Sequence, residues 1–316
     1  MTYEQYGLIS YTDFNNFAGA TNSTIANTLN AVLGVGSGNS GYGQTTVTNV
    51  AQYATVSASD WASLLNKMTV VANHQSTAIP SLPVPTTGDR INYLSQLQSN
   101  ITNVYAKRNN AGAQGTSAST TTTNATGWSN AITFTHTVSF ASADAVRYFF
   151  NAGGQIAITL SHPSGTGINA MFNTMATAAG TIVLSSPSSG NVTIAGTTYN
   201  GVTKIGGSGT ASTVSPNIGY YALTTTDQEI FRQASSSAPS GYTSSYISVN
   251  VRSNGTQGVN GDKGTVITIT TIWDEIPNGL LVSANTATAV TVRYPSNSYL
   301  ASSWGTVNVS GTVSGS

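Results

Sequence analysis

Apolar residues recur every three or four positions in the first third of the chain and every second position through much of the remainder, which predicts helices followed by strands. Trp61, Leu64, Leu65, Met68, Val71 and Ala72 form one helical stripe. It follows Ser57-Ala58-Ser59-Asp60, whose spacing is that of a capping box, so a helix starts near Ala58 and ends at His74, which is expected to cap its C-terminus. A second stripe, Ile91, Leu94, Leu97, Ile101, Val104 and Tyr105, predicts a helix from Arg90 to Arg108 capped by Thr87 or Asp89, beyond the stiff PSLPVP connection at 80–85. Upstream, Phe14, Phe17, Ile25, Leu29, Val32 and Leu33 suggest a helix capped by Thr12 or Asp13, interrupted near Gly19 and closed by Gly34. The glycine-rich run 34–44 is expected to be a loop anchored by packing of Tyr42.

Residues 113–130 carry no hydrophobic period and are expected to link two regions, although a threonine run also suits an exposed strand. Beyond them, ITFTHTVSF alternates strictly and places His136 on its apolar face. Ala141-Ser142-Ala143-Asp144 starts a further helix, and another is expected over 168–175. Strands are predicted at QIAITLS, TIVLSS, 192–199, IGYYAL, SSYISVNVRS, TVITITTIWD, ATAVTVRYP and WGTVNVSGTV. The fold class is therefore α+β. A helical region, 1–112, serves attachment or oligomerisation and precedes a β-rich domain, 131–316, subdivided near 190–217 and built as an antiparallel sandwich with short helical insertions.

Composition narrows the chemistry. Charged residues make up 6% of 316, ten of each sign, against about 25% in ordinary domains, while serine and threonine exceed a quarter of the chain. Solubility rests on hydroxyls and amides, and zero net charge leaves little long-range repulsion between copies. Ten scattered basic residues make no nucleic-acid footprint, and no apolar run is long enough to insert into a membrane. The absence of cysteine removes disulfides and thiolate metal sites.

His74, His136 and His162 share no metal-ligand spacing, and no catalytic, metal or cofactor residue is assigned. Asp227 with Glu229 and Asp274 with Glu275 are the carboxylate groupings that a glycosidase would need facing each other. Tyr242, Tyr246, Trp273, Tyr294, Tyr299 and Trp304 would be the platforms of a sugar-binding protein.

Four stretches resemble virion structural proteins of tailed bacteriophages, particularly phages of cyanobacteria and related aquatic hosts. They are YTDFNNF with ANTLNAVLGVGSGNSGYGQ, ASDWASLLNKM ending at NHQ, DRINYLSQLQSNITNV, and FASADAVRYFFNAGGQIAITLS, which together cover most of residues 11–186. The resemblance implies a non-enzymatic tail, baseplate, neck or fibre component, assembled in the host cytoplasm and partnered by copies of itself and other virion proteins. Trp61, Leu64, Met68, Leu94, Leu97 and Ile101 are then the expected helical contact surface, with Tyr148, Phe149 and Phe150 securing the β-domain core or its interface. The alternatives are a distal fibre protein that binds a host-surface glycan through the aromatic set above, and an enzyme that degrades envelope glycan.

Overall fold

A computed structural model describes residues 10–19, 27–208, 211–235, 241–255, 258–277 and 279–315. Four helices come first: α1 (Tyr11–Ala18), α2 (Leu29–Leu33), α3 (Ala58–His74) and α4 (Leu94–Ala106). The cap of α1 is Ser10 rather than Thr12 or Asp13. The Ser10 hydroxyl accepts the Asp13 amide while the Asp13 carboxylate accepts the Ser10 amide at 2.8 Å, so the reciprocal box forms one turn earlier than expected. Gly19, at φ 114°, ends α1 as anticipated, and Thr28 caps α2; Ile25 lies outside the described residues. The Ser57–Asp60 box opens α3 as predicted. α4 begins at Leu94 instead of Arg90. Thr86 and Asp89 are consumed in a turn in which both the Thr86 amide and hydroxyl donate to the Asp89 carboxylate, and Gly88 at φ 96° directs the chain out of a helical path.

Where a linker was expected, Gln114–Thr123 form strand β1. β2 (Ala131–Ser139) shows the predicted alternation, with Ile132, Phe134, His136 and Val138 buried. α5 (Ala143–Asn151), capped by Ser142, leads into β3 (Gln155–Ser161). α6 (Ile168–Ala179) runs one turn beyond the predicted end because Ala176 and Ala179 extend its apolar stripe, and β4 (Thr181–Leu184) follows. The chain continues through β5 (Val192–Ile194), β6 (Thr197–Tyr199), β7 (Val202–Ile205), β8 (Ser212–Val214), β9 (Gln228–Ala234), β10 (Tyr246–Ser253), β11 (Val266–Asp274), β12 (Ala287–Pro295) and β13 (Asn308–Gly315). The predicted strand IGYYAL is a 3₁₀ turn at Tyr220–Ala222, which buries Tyr220 and Leu223 three positions apart on one side.

The strands form two antiparallel sheets, ordered β1-β12-β3-β4-β7 and β13-β2-β11-β10-β9-β8, with β5 and β6 as a separate hairpin. α6 touches β3 of the first sheet and β9 and β10 of the second, so it fills the space between them. Phe172 on α6 meets Trp128 at 5.1 Å and Trp273 at 5.9 Å between ring centroids. Each such buried ring contributes about 1.5–3 kcal/mol of transfer free energy. One apolar core runs without a break from Phe14 and Trp61 in the helices to Trp273 and Trp304 in the β region. In the stretch 190–217, β7 joins the first sheet and β8 the second, so the chain there crosses from one layer to the other.

Candidate functional site

The side chains predicted to contact neighbours are consumed inside the chain. Trp61, Leu64, Met68, Leu94, Leu97 and Ile101 are all buried, with Trp61 wedged edge-on against Phe14 at 5.3 Å. The helical stripes therefore face this chain's own core and present no contact surface. Phe149 and Phe150 are fully buried, Phe150 stacking on Tyr220 at 4.5 Å, and Tyr148 is nearly so.

The predicted aromatic platform is not assembled. Trp273 is sealed beneath Phe172 and His162, and Trp304 is also buried, so neither presents a face to a sugar. The Tyr246 ring lies under the Arg232 guanidinium at 3.8 Å, while Tyr242 is half-buried and Tyr299 exposed. Of the set, Tyr294 and Trp304 share a groove of about 440 Å³ with Gly115 and Thr116 at the start of β1, but Tyr294 uses its hydroxyl on the Val307 backbone.

The carboxylates are likewise engaged. Asp227 pairs with Arg252 at 3.1 Å and Glu229 with Arg232 at 2.6 Å. Glu275 is buried and accepts the amides of Asn130, Gly279 and Leu280, which staples two loops together. Glu229 lies level with Asn250 of β10 and Asp274 level with Tyr246. That separates the two by about 13 Å along the strands alone, beyond the ~5–9.5 Å of a glycosidase pair.

The histidines sit in three separate environments, and among the described residues no three His, Cys, Asp or Glu side chains cluster as metal ligands. His74 does not cap its own helix. Its Nε2 reaches the Ala152 carbonyl at 3.1 Å, and burial pulls its pKa down to about 4. His136 meets the Thr122 hydroxyl at 3.0 Å, in keeping with its place on the apolar face of its strand, and burial lowers its pKa. His162 bridges Thr286 and Asn169, and burial lowers its pKa against the opposing effect of the Asn169 bond.

The glycine-rich loop 34–44 has a rigid anchor that periodicity did not reveal. Arg147, fully buried on α5, donates to the carbonyls of Val35 at 2.6 Å, Ser40 at 2.8 Å and Gly38 at 3.2 Å, and pairs with Asp144 at 3.0 Å. Asn151, one turn on, donates to the Gly38 and Gly41 carbonyls. Gly41 sits at φ 98°, and a Cβ there would lie 2.1 Å from the Val35 oxygen, so the tight path requires glycine. Tyr42 is buried as expected; its hydroxyl donates to the Arg108 carbonyl at 2.5 Å and accepts from Gln75. The loop thus ties the helices to the β region, and its carbonyls are occupied from within.

The sheet edges offer main chain. Each sheet has two edge strands, and the two flanks of the sandwich differ. On one flank the edges are short: β7 has 4 residues, including Lys204, and β8 has 3. Short, charged edges resist pairing with another chain. On the other flank β1 has 10 residues and β13 has 8, with no charge and no proline in either. These two strands lie against each other, with the Thr120 hydroxyl donating to the Val309 carbonyl at 3.1 Å and Thr122 packed beside Gly311. Ser117, Ser119, Thr121 and Thr123 stand exposed on the outer face of β1. Comparison with protein-family models, curated proteins and solved structures finds no match.

Proposed function

We propose that this chain is a non-enzymatic structural subunit that works by assembly, as a tail, baseplate or neck component of a tailed-phage virion. The observation that supports it best is the contrast between the two flanks: one is blunted against pairing, while the other offers two long, neutral, proline-free edges side by side. Charges, bulges and covering loops protect such edges in monomeric proteins; β1 carries an irregularity between Gln114 and Ser117, and beyond it Ser117–Thr123 run regular and uncharged. A surface of hydroxyls with few charges is also inexpensive to desolvate against a neighbour. The interlocked helices, glycine loop and α5 supply the rigidity that a repeated building block requires, and they include the stretches in which the phage resemblance lies. In this reading the partners are copies of the chain and other virion proteins, and the working location is the particle.

The test is to label intact virions with gold-conjugated antibody raised against residues 190–316. Labelling at the neck, tube or baseplate is expected. Labelling confined to distal fibres would replace this reading with receptor binding, and particles that carry none of the protein would refute it.

A further inference from the structure

We propose that β1 pairs antiparallel with β1 of a second copy, across a twofold axis normal to the sheet, so that two five-stranded sheets join into one. The inference rests on the assembly reading and adds the strand, the partner and the symmetry.

Three features of β1 select its own copy as the occupant. The first is length. β1 runs for 10 residues, whereas the opposite edge of the same sheet, β7, has 4 and carries Lys204, so head-to-tail pairing of β1 with β7 leaves most of β1 uncovered. Pairing with itself sets two edges of equal length side by side.

The second is charge. In an isologous antiparallel pair residue i faces residue j and j faces i, so the residues near the axis meet their own symmetry mates, and a charge there would meet a like charge. The sequence QGTSASTTTT contains none, and Ser and Thr are at once donor and acceptor, so they bond to themselves across such an axis. The third is the unused ladder. β1 pairs with β12 along one side, regularly from Ser117 to Thr123 and through an irregularity between Gln114 and Ser117, which leaves the main-chain groups of its other side without a strand neighbour among the described residues. β13 is less open, because its Val309 carbonyl already accepts the Thr120 hydroxyl.

The geometry limits the register. A twofold normal to the sheet keeps each strand face on its own side, and side chains alternate with a period of two. Opposed residues must therefore share a face. In the centred registers, Ser119 faces either the second copy's Ser119 or the second copy's Ser117, with Ala118 on the axis. The Cβ of residue 119 then lies within about 5–8 Å of its symmetry mate in both.

Two exposed-face variants test this: S119K/T121K and S119E/T121E. Both sites project outward, and the side-chain bond lost is the exposed one between the Ser119 and Thr291 hydroxyls, so circular dichroism should match the parent and the melting temperature should stay close to it. Sedimentation velocity of the parent should show dimers, and each variant alone should dissociate with a dissociation constant raised about tenfold or more by like-charge repulsion. An equimolar mixture of the Lys and Glu variants should restore dimers, now as heterodimers, which a merely structural effect of the substitutions would not do. A parent that stays monomeric into the hundred-micromolar range overturns the inference. An oligomer whose stability both variants leave unchanged also overturns it, yet leaves the assembly reading intact, which the virion labelling decides separately.

Discussion

Replacing Arg147 with methionine keeps most of the side-chain volume but removes the guanidinium that holds the 34–44 loop. Four partners lose their donor: the carbonyls of Val35, Gly38 and Ser40 and the carboxylate of Asp144. A hydrogen bond to a charged group contributes about 1.5–3 kcal/mol. The four do not add, since they share one cation and the loop relaxes when released, and removing one member of a buried ionic network costs about 3–5 kcal/mol. Asp144 is one-third exposed and regains water, which places the expected loss near the middle, at about 4 kcal/mol. With an unfolding entropy of about 2.1 cal/mol/K per residue, 316 residues give ~0.66 kcal/mol/K and hence a fall in Tm of about 6 °C. Calorimetry reads that shift. Hydrogen exchange reads its location, since the amides of Tyr42, Gly43 and Gln44, which bond to the carbonyls of Val32, Gly34 and Leu33, should lose protection first. Arg147→Lys, which retains a cation but not the planar fork, should lose roughly half as much. A fall in Tm below about 2 °C, or unchanged exchange in the loop, would refute the claim that Arg147 organises it.

Two further outcomes follow from buried side chains. His74 is held neutral, with its pKa depressed to about 4 against 6.5 in the unfolded chain, so the unfolded state binds the extra proton; stability is full above pH 6.5 and falls as the pH drops toward 4. The loss reaches about 3 kcal/mol, and urea titrations of His74→Gln should show a shallower decline over that window; an unchanged slope would count against it. Trp273→Ala opens a cavity beside Phe172 and should cost about 3–5 kcal/mol, whereas Trp273→Phe should cost less than half of that because the indole N–H has no hydrogen-bond partner among the described residues. Equilibrium unfolding distinguishes the two, and near-native stability of the alanine variant would show that Trp273 is not a core residue.

Much of the fold was legible in the sequence because some signals are local. The Ser57–Asp60 box and the Ser142 cap each fix a helix start within a few residues, and ITFTHTVSF writes its burial directly into its alternation. β1 read as a linker, with a strand only as the alternative, because its inward positions Thr120 and Thr122 pack against His136, Gly311 and the Val309 backbone instead of a large apolar surface. A strand whose inner face is hydroxyl and methyl shows no hydrophobic period. The helical stripes were found correctly, but a stripe records that a face is covered and not by what, so contacts expected with a neighbour turned out to be this chain's own core. The aromatic residues failed in the same way: Trp273 and Trp304 carry no mark in sequence of the layer that closes over them. The open flank depends on strand order, which joins β1 to β12 and leaves its other side without a strand neighbour among the described residues, and no local pattern encodes that.

In the proposed assembly the protein meets its neighbours along the neutral β1 edge. Amide hydrogen exchange of residues 114–123, measured by mass spectrometry on dilute protein and on assembled particles, tests it most directly. The amides on the outer side of β1 should exchange readily in dilute protein and become protected by at least tenfold on assembly, a change of about 1.4 kcal/mol or more. Equal exchange in both states, with protection gained elsewhere on the surface, would contradict it.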